Sequence, residues 1–246
     1  MEAFRVTSSG DIENRLASVR ERIAAAASRV GRKPAEITVL GVAKKKRPEL
    51  IVAAVRAGLR DLAENYVQEA AAKIPAVTAE LVSAGLAAPR WHFVGQLQRN
   101  KARDVVRLFD VVACVDRESL GVELERRAGI EDRQLDALLQ VNLSDESQKG
   151  GVDPGALPGL LEASTHWSRL RITGLMSVPA ATADPEDSRP AFARLRALRD
   201  EHRGEPGGEH LSELSMGMTG DFEIAIEEGA TIVRVGTAIF GPRSET

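Results

Sequence analysis

Ile37-Thr38-Val39-Leu40-Gly41-Val42-Ala43-Lys44 is an apolar, β-branched run that stops at a lysine, with Lys45, Lys46, Arg47 and Pro48 directly after it. A strand that is apolar along its length is buried on both faces, as in a parallel sheet covered by helices. Its last residue emerges at the carboxyl edge of the sheet, where α/β proteins place their ligands. An amine presented there, partly desolvated and crowded by three cations, is expected to have a lowered pKa and to act as a nucleophile towards an aldehyde. Lys44 is therefore the first candidate for a Schiff-base lysine. Lys44 to Arg47 also read as a solvated basic turn, the usual fate of a charge run.

Upstream, Ile12, Leu16, Val19, Ile23, Ala26 and Val30 recur at steps of four and three after the polar Thr7, Ser8 and Ser9. That spacing lines one face of an amphipathic helix, closed by Gly31 and packed on the body of the protein before the first strand. Downstream, strand and helix alternate. Pro48 opens a helix with Leu50, Ile51, Ala54 and Val55 on one face and Gly58 past its end. After the run at 37–44, further strands are expected at 59–65, 91–95, 109–115, 136–142, 170–177, 210–216 and 231–240. A helix through Val67, Ala70, Ala71 and Ile74 follows the second strand. Asp153-Pro154 and Asp184-Pro185 supply caps and first-turn prolines for two more, the first bearing Leu157, Leu160 and Leu161, and Thr219 leads into a helix that stops at Gly229. Eight strands with helices between them is the count of a (β/α)8 TIM barrel, here with an extra N-terminal helix, read as a single α/β domain over residues 1–246.

Composition removes several classes of function. The 33 basic and 36 acidic residues leave a formal charge of -3, which points to neither nucleic acid nor a membrane surface. Cys114 is the only cysteine, so an intramolecular disulfide and a cysteine zinc cluster are both excluded. No apolar segment is long enough for a membrane span or a secretory signal, and a reduced cytoplasmic setting is expected. Nothing in the pattern demands a partner subunit, so a monomer is expected.

The remaining candidates fall at the carboxyl ends of the strands. Glu64-Asn65-Tyr66-Val67-Gln68-Glu69 is a polar cluster after an apolar run, with Asn65 either capping a helix or facing a ligand. His92, between Trp91 and Phe93, reads as a hydrogen-bonded packing residue, and the four histidines show no paired metal spacing. Ser215-Met216-Gly217-Met218-Thr219 and Arg234-Val235-Gly236-Thr237 offer the small residues and hydroxyls that a phosphate site needs, because backbone amides must approach the anion closely. Such loops also serve as ordinary turns. Arg234, inside an apolar strand, needs an acceptor, and a bound ligand could supply it.

Together, Val42-Ala43-Lys44, the 64–69 cluster, Trp91-His92-Phe93-Val94-Gly95-Gln96-Leu97-Gln98-Arg99-Asn100-Lys101, Leu214-Ser215-Met216-Gly217-Met218 and the block from Val233 to Gly241 resemble the pyridoxal phosphate homeostasis protein family, the alanine racemase-like barrels. The resemblance covers nearly the whole chain after the first helix. It implies a barrel similar to the alanine racemase N-terminal domain, with pyridoxal 5'-phosphate (PLP) held as an internal aldimine on Lys44. It further implies Arg234 facing the pyridine nitrogen, Ser215, Gly236 and Thr237 at the phosphate, and Asn65 lining the pocket. Two positions depart from the family pattern: Ala43 stands where serine is common, and Leu62-Ala63 replace a frequent Phe-Gly.

An arginine at the pyridine nitrogen weakens the ring as an electron sink, and Tyr66 is the only tyrosine available as a second acid/base group. No second domain to supply another is expected. A carrier that limits free PLP and passes it to apo-enzymes is therefore favoured over an enzyme. The alternatives are a PLP-dependent racemase or decarboxylase, and a barrel binding another phosphorylated metabolite. Lys101 and Lys149 are candidate docking points for the aldehyde or, more simply, solvated lysines.

Overall fold

Eight parallel strands close into a barrel in chain order, each bonded to the next and the last to the first. They are β1 (Thr38–Val42), β2 (Asp61–Glu64), β3 (Arg90–Phe93), β4 (Val111–Val115), β5 (Leu135–Gln140), β6 (Leu170–Met176), β7 (Glu213–Ser215) and β8 (Ile232–Val235). The computed structural model describes residues 9–144, 150–180 and 182–242, so Thr7, Ser8 and Lys149 lie outside the described residues. The seam between first and last strands sets Leu40 opposite Arg234 and Gly41 opposite Val235. Every residue of β4 is buried, as a strand covered on both faces requires.

Helices α1 (Ser9–Arg29), α2 (Pro48–Arg56), α3 (Val67–Ser83), α4 (Ala102–Leu108), α5 (Glu118–Ile130), α6 (Leu157–Ser164), α7 (Arg189–His202), α8 (Phe222–Glu227) and α9 (Thr237–Phe240) form the outer layer. α1 lies against α2, α8 and α9, on the side of the seam. Ile12, Leu16, Val19, Ile23 and Ala26 are buried as their spacing requires, each large aliphatic contributing about 1.5–3 kcal/mol, whereas Val30, past the last turn, is exposed. Arg22 fixes the helix laterally, with its guanidinium 4.4 Å from the centre of the Phe222 ring and its Nε donating to Glu223 at 2.6 Å. Asp153 and Asp184 cap as expected, accepting from the Gly155 and Glu186 amides at 2.8 and 3.0 Å.

Three local expectations are corrected. The strand expected to run to residue 240 ends at Val235, because Gly236 (φ -106°, ψ -80°) leaves the extended region and Thr237–Phe240 coils into α9. The helix after β7 starts at Phe222 rather than at Thr219: Gly217, at φ 86°, turns the chain first, and Asp221 accepts from the Met218 amide at 2.6 Å. On α3 it is Lys73, not Ala71, that joins Val67, Ala70 and Ile74 on the buried face. No helix among the described residues is long and apolar enough to cross a membrane.

Candidate functional site

Lys44 lies two residues beyond β1, at the carboxyl mouth of the barrel, and is half-buried. The backbone turns at once after it. The Lys46 amide donates to the Ala43 carbonyl at 3.1 Å, and Lys45 takes a left-handed conformation at φ 58° that side chains with a Cβ disfavour. The neighbouring cations do not share one environment. Lys45 and Arg47 are exposed, whereas Lys46 is buried and its ammonium donates to the carbonyls of Gly241 and Pro242 at 2.9 and 2.6 Å. The solvated basic turn is thus only half right.

Beneath the turn lies a buried ionic group. Lys73 Nζ donates to the Ala43 carbonyl at 2.8 Å, to Glu64 Oε1 at 2.6 Å and to Glu69 Oε1. Glu69 Oε1 also accepts from the Lys45 amide at 2.6 Å. Burial pushes the Glu64 carboxyl up to about 7, outweighing the Lys73 ammonium beside it. Asn65 does not cap α3, whose first-turn amides have no side-chain cap; its Oδ1 is instead buried without a hydrogen-bond partner. Gly95 explains itself here, since a Cβ at that position would sit 2.1 Å from the Asn65 carbonyl oxygen.

Across the mouth, Arg234 reaches from β8 over the ends of β7 and β6. Its Nη1 donates to the Ser215 carbonyl and Oγ at 2.7 and 2.9 Å, and its Nη2 to the Ser177 carbonyl at 2.8 Å. The acceptors expected from a ligand are therefore supplied largely by the protein. Desolvation pushes the guanidinium down to about 10, opposed by Asp221, and it stays charged at neutral pH. The Ser177 hydroxyl is buried without a partner, a second orphaned oxygen at the same mouth. Gly217 is required beside it, because a Cβ would meet Ala225 Cβ at 2.5 Å. Gly236 and Thr237 form the N-cap and first residue of α9, Gly236 half-buried and Thr237 exposed.

Other features take no part in these two networks. His92 is buried and bonds Asp61 Oδ1 at 3.0 Å through Nε2, which is the packing role its aromatic neighbours suggested. Among the described residues no group of three histidines, cysteines or carboxylates could hold a metal ion. Cys114 is buried in β4 and burial pushes its thiol pKa up, which makes it unreactive. Lys101 closes the turn before α4 and lines a 380 Å³ rim cavity with Asn65 and Tyr66. A cavity of 630 Å³ opens at the opposite mouth, where Arg90 and Arg171 pair with Asp136. Arg90, Arg169 and Arg171 are balanced there by Asp110, Asp136 and Glu209, at the stability face of the barrel.

Sequence reading missed Lys73, Ser177 and the anchoring role of Lys46. Lys73 was traceable, as a lysine on the apolar stripe of α3 four residues after Glu69. Ser177 and Lys46 carry no sequence signal, because their surroundings are made by residues far along the chain.

The arrangement defines a class of protein, a (β/α)8 barrel of the alanine racemase type. Residues 15–244 match the family model described as alanine racemase, N-terminal domain. Two relatives carry the name pyridoxal phosphate homeostasis protein. The one from Escherichia coli (strain K12) is 40% identical over 237 residues, covering 95% of this chain and 97% of that protein. The one from Pseudomonas aeruginosa is 44% identical over 235 residues, covering 94% and 96%. The solved structure of PipY from Synechococcus elongatus PCC7942, with PLP bound, matches at a TM-score of 0.80 and 36% identity, covering 94% of this chain and 100% of that one. The chain belongs to the pyridoxal phosphate homeostasis protein family.

Proposed function

We propose that this chain binds PLP covalently on Lys44 at the carboxyl mouth of the barrel and serves intracellular PLP homeostasis, holding the aldehyde and delivering it to apo-enzymes. The observation that carries the reading is the placement, at one mouth of the barrel, of the Lys44 turn after β1 and the anchored Arg234 guanidinium of β8, the strand that pairs with β1 across the seam. The PLP-bound relative at 36% identity supports it.

The residues present fit the group. Asn65 Oδ1 and Ser177 Oγ are buried oxygens in want of a partner at this mouth. Ser215, Gly236 and Thr237 would receive the phosphate, Asn65 would line the pocket, and Arg234 would face the ring nitrogen. When bound, PLP would supply an aldehyde carbon for the Lys44 amine to hold covalently, with water as the only by-product. Arg234, anchored on three acceptors and charged at neutral pH, would offer the ring nitrogen a hydrogen bond but no proton, which favours storage over carbanion chemistry. Tyr66 is half-exposed at the rim, 49% accessible, and poorly placed to serve as a water-excluded second base. The protein works as a monomer in the cytoplasm, within one domain.

The test is a visible spectrum of the protein after incubation with PLP and removal of the unbound cofactor, before and after borohydride, beside Lys44→Ala. The expected result is an absorption that borohydride removes, a reduced adduct mapping to Lys44 by mass spectrometry, and neither in the variant. Two colourless proteins would refute the covalent site. Chiral analysis after incubation with L-amino acids tests turnover, and a racemised product would overturn the carrier reading.

A further inference from the structure

We propose that Lys73, with Glu69 and Glu64, is a positioning cluster that sets the direction of the Lys44 side chain. This rests on the reading of Lys44 as the amine that receives the aldehyde. The two peptide groups flanking the Lys44 Cα are both held from α3. The Ala43 carbonyl, in the peptide before Lys44, accepts from Lys73 Nζ at 2.8 Å. The Lys45 amide, in the peptide after it, donates to Glu69 Oε1 at 2.6 Å. That same oxygen accepts from Lys73, so one ammonium and one carboxylate bridge both peptides. Glu64 Oε1, 2.6 Å from Nζ, holds the ammonium from the strand side.

Peptide groups are planar, so fixing the planes on either side of a Cα fixes its φ and ψ and with them the direction of its Cα–Cβ bond. The turn needs this restraint, because Lys45 sits at φ 58° without being glycine. On the far side, the Lys46 ammonium ties the same turn to the Gly241 and Pro242 carbonyls. A purely stabilising role accounts poorly for the group. Lys73 is 6% exposed and Glu64 fully buried, and apolar side chains of similar volume would hold α3 on β2 as well or better. Apolar side chains could not bond the two peptides.

The experiment compares wild type, Lys44→Ala, Lys73→Met, Lys73→Arg and Glu69→Ala by titration with two probes. One is PLP; the other is pyridoxine 5'-phosphate, whose alcohol cannot bond to Lys44. Lys73→Met and Glu69→Ala are expected to bind PLP roughly 10- to 100-fold more weakly while keeping wild-type affinity for the alcohol, and Lys73→Arg to recover most of the loss. Glu69 is 26% exposed and its removal leaves Lys73 paired with Glu64, so Glu69→Ala carries the test should Lys73→Met fail to fold. Equal weakening for both probes, or for neither, overturns the positioning role. If Lys44→Ala loses PLP affinity and the α3 variants do not, that role alone falls. If Lys44→Ala binds PLP as tightly as wild type, the reading of Lys44 falls and the positioning role with it.

Discussion

Replacing Glu64 with glutamine should abolish a pH dependence of stability that burial builds into the wild type. The carboxyl is fully buried at the end of β2, and desolvation raises it from an ordinary 4.5 to about 7 against the opposing pull of Lys73. Below pH 4.5 it is protonated in the folded and unfolded chain alike. Between 4.5 and about 7 the unfolded chain releases the proton while the folded chain keeps it, so stability falls as pH rises through this window. Above it both states are ionised and the loss stays constant. At ~1.36 kcal/mol per pKa unit, the gap between 4.5 and about 7 amounts to about 3 kcal/mol. Urea unfolding of wild type and Glu64→Gln, from about pH 4 to about pH 8 at constant ionic strength, measures it. The difference, wild type minus variant, should decline by about 3 kcal/mol across the window and then level off. A difference that is flat or rises with pH would refute the reasoning, because Glu64 would then be ionised by Lys73 throughout.

Two further substitutions probe the mouth of the barrel. Gly95→Ala places a Cβ 2.1 Å from the Asn65 carbonyl and must push the loops after β2 and β3 apart, at a cost of about 1–3 kcal/mol in urea unfolding; an unchanged midpoint would mean that the loops part freely. Arg234→Leu strips the guanidinium donor from the buried Ser177 carbonyl and leaves the Ser215 carbonyl only the Ser177 amide, and should cost roughly 3 kcal/mol, with Arg234→Lys intermediate because it keeps the charge but not the fork; a neutral Leu variant would show the three bonds to be dispensable.

The barrel was legible because its signals are local. Each strand is a short apolar run, and prolines and aspartates such as Pro48, Asp153 and Asp184 mark helix starts where the structure has them. The misplaced ends of β8 and α8 fall where a single backbone angle decides. Nothing in Thr231 to Phe240 except Gly236 separates a strand from a strand followed by a helical turn. The alternation of strand and helix brought Lys44 and Arg234 to the same mouth on paper, and the structure agrees. What it could not give is the company these side chains keep. Arg234 is satisfied by the carbonyls of Ser177 and Ser215, 57 and 19 residues away, and the peptides around Lys44 are held by a lysine 30 residues from Ala43. Contacts at such separations depend on how the strands pair and leave no periodic trace in sequence.

The pairing of β1 with β8 also governs when the site comes into being. Lys44 leaves the ribosome early, but the guanidinium across the seam, the loop at Gly236 and the carbonyls that anchor Lys46 all belong to the last strand of the ring and the residues just after it. Contacts of such long range form late, after the loop-closure cost of the whole ring has been met. A nascent chain thus displays its lysine without the pocket around it. On the proposed reading of Lys44, capture of an aldehyde would be a property of the closed ring alone, and an abandoned or truncated copy would not sequester cofactor through it.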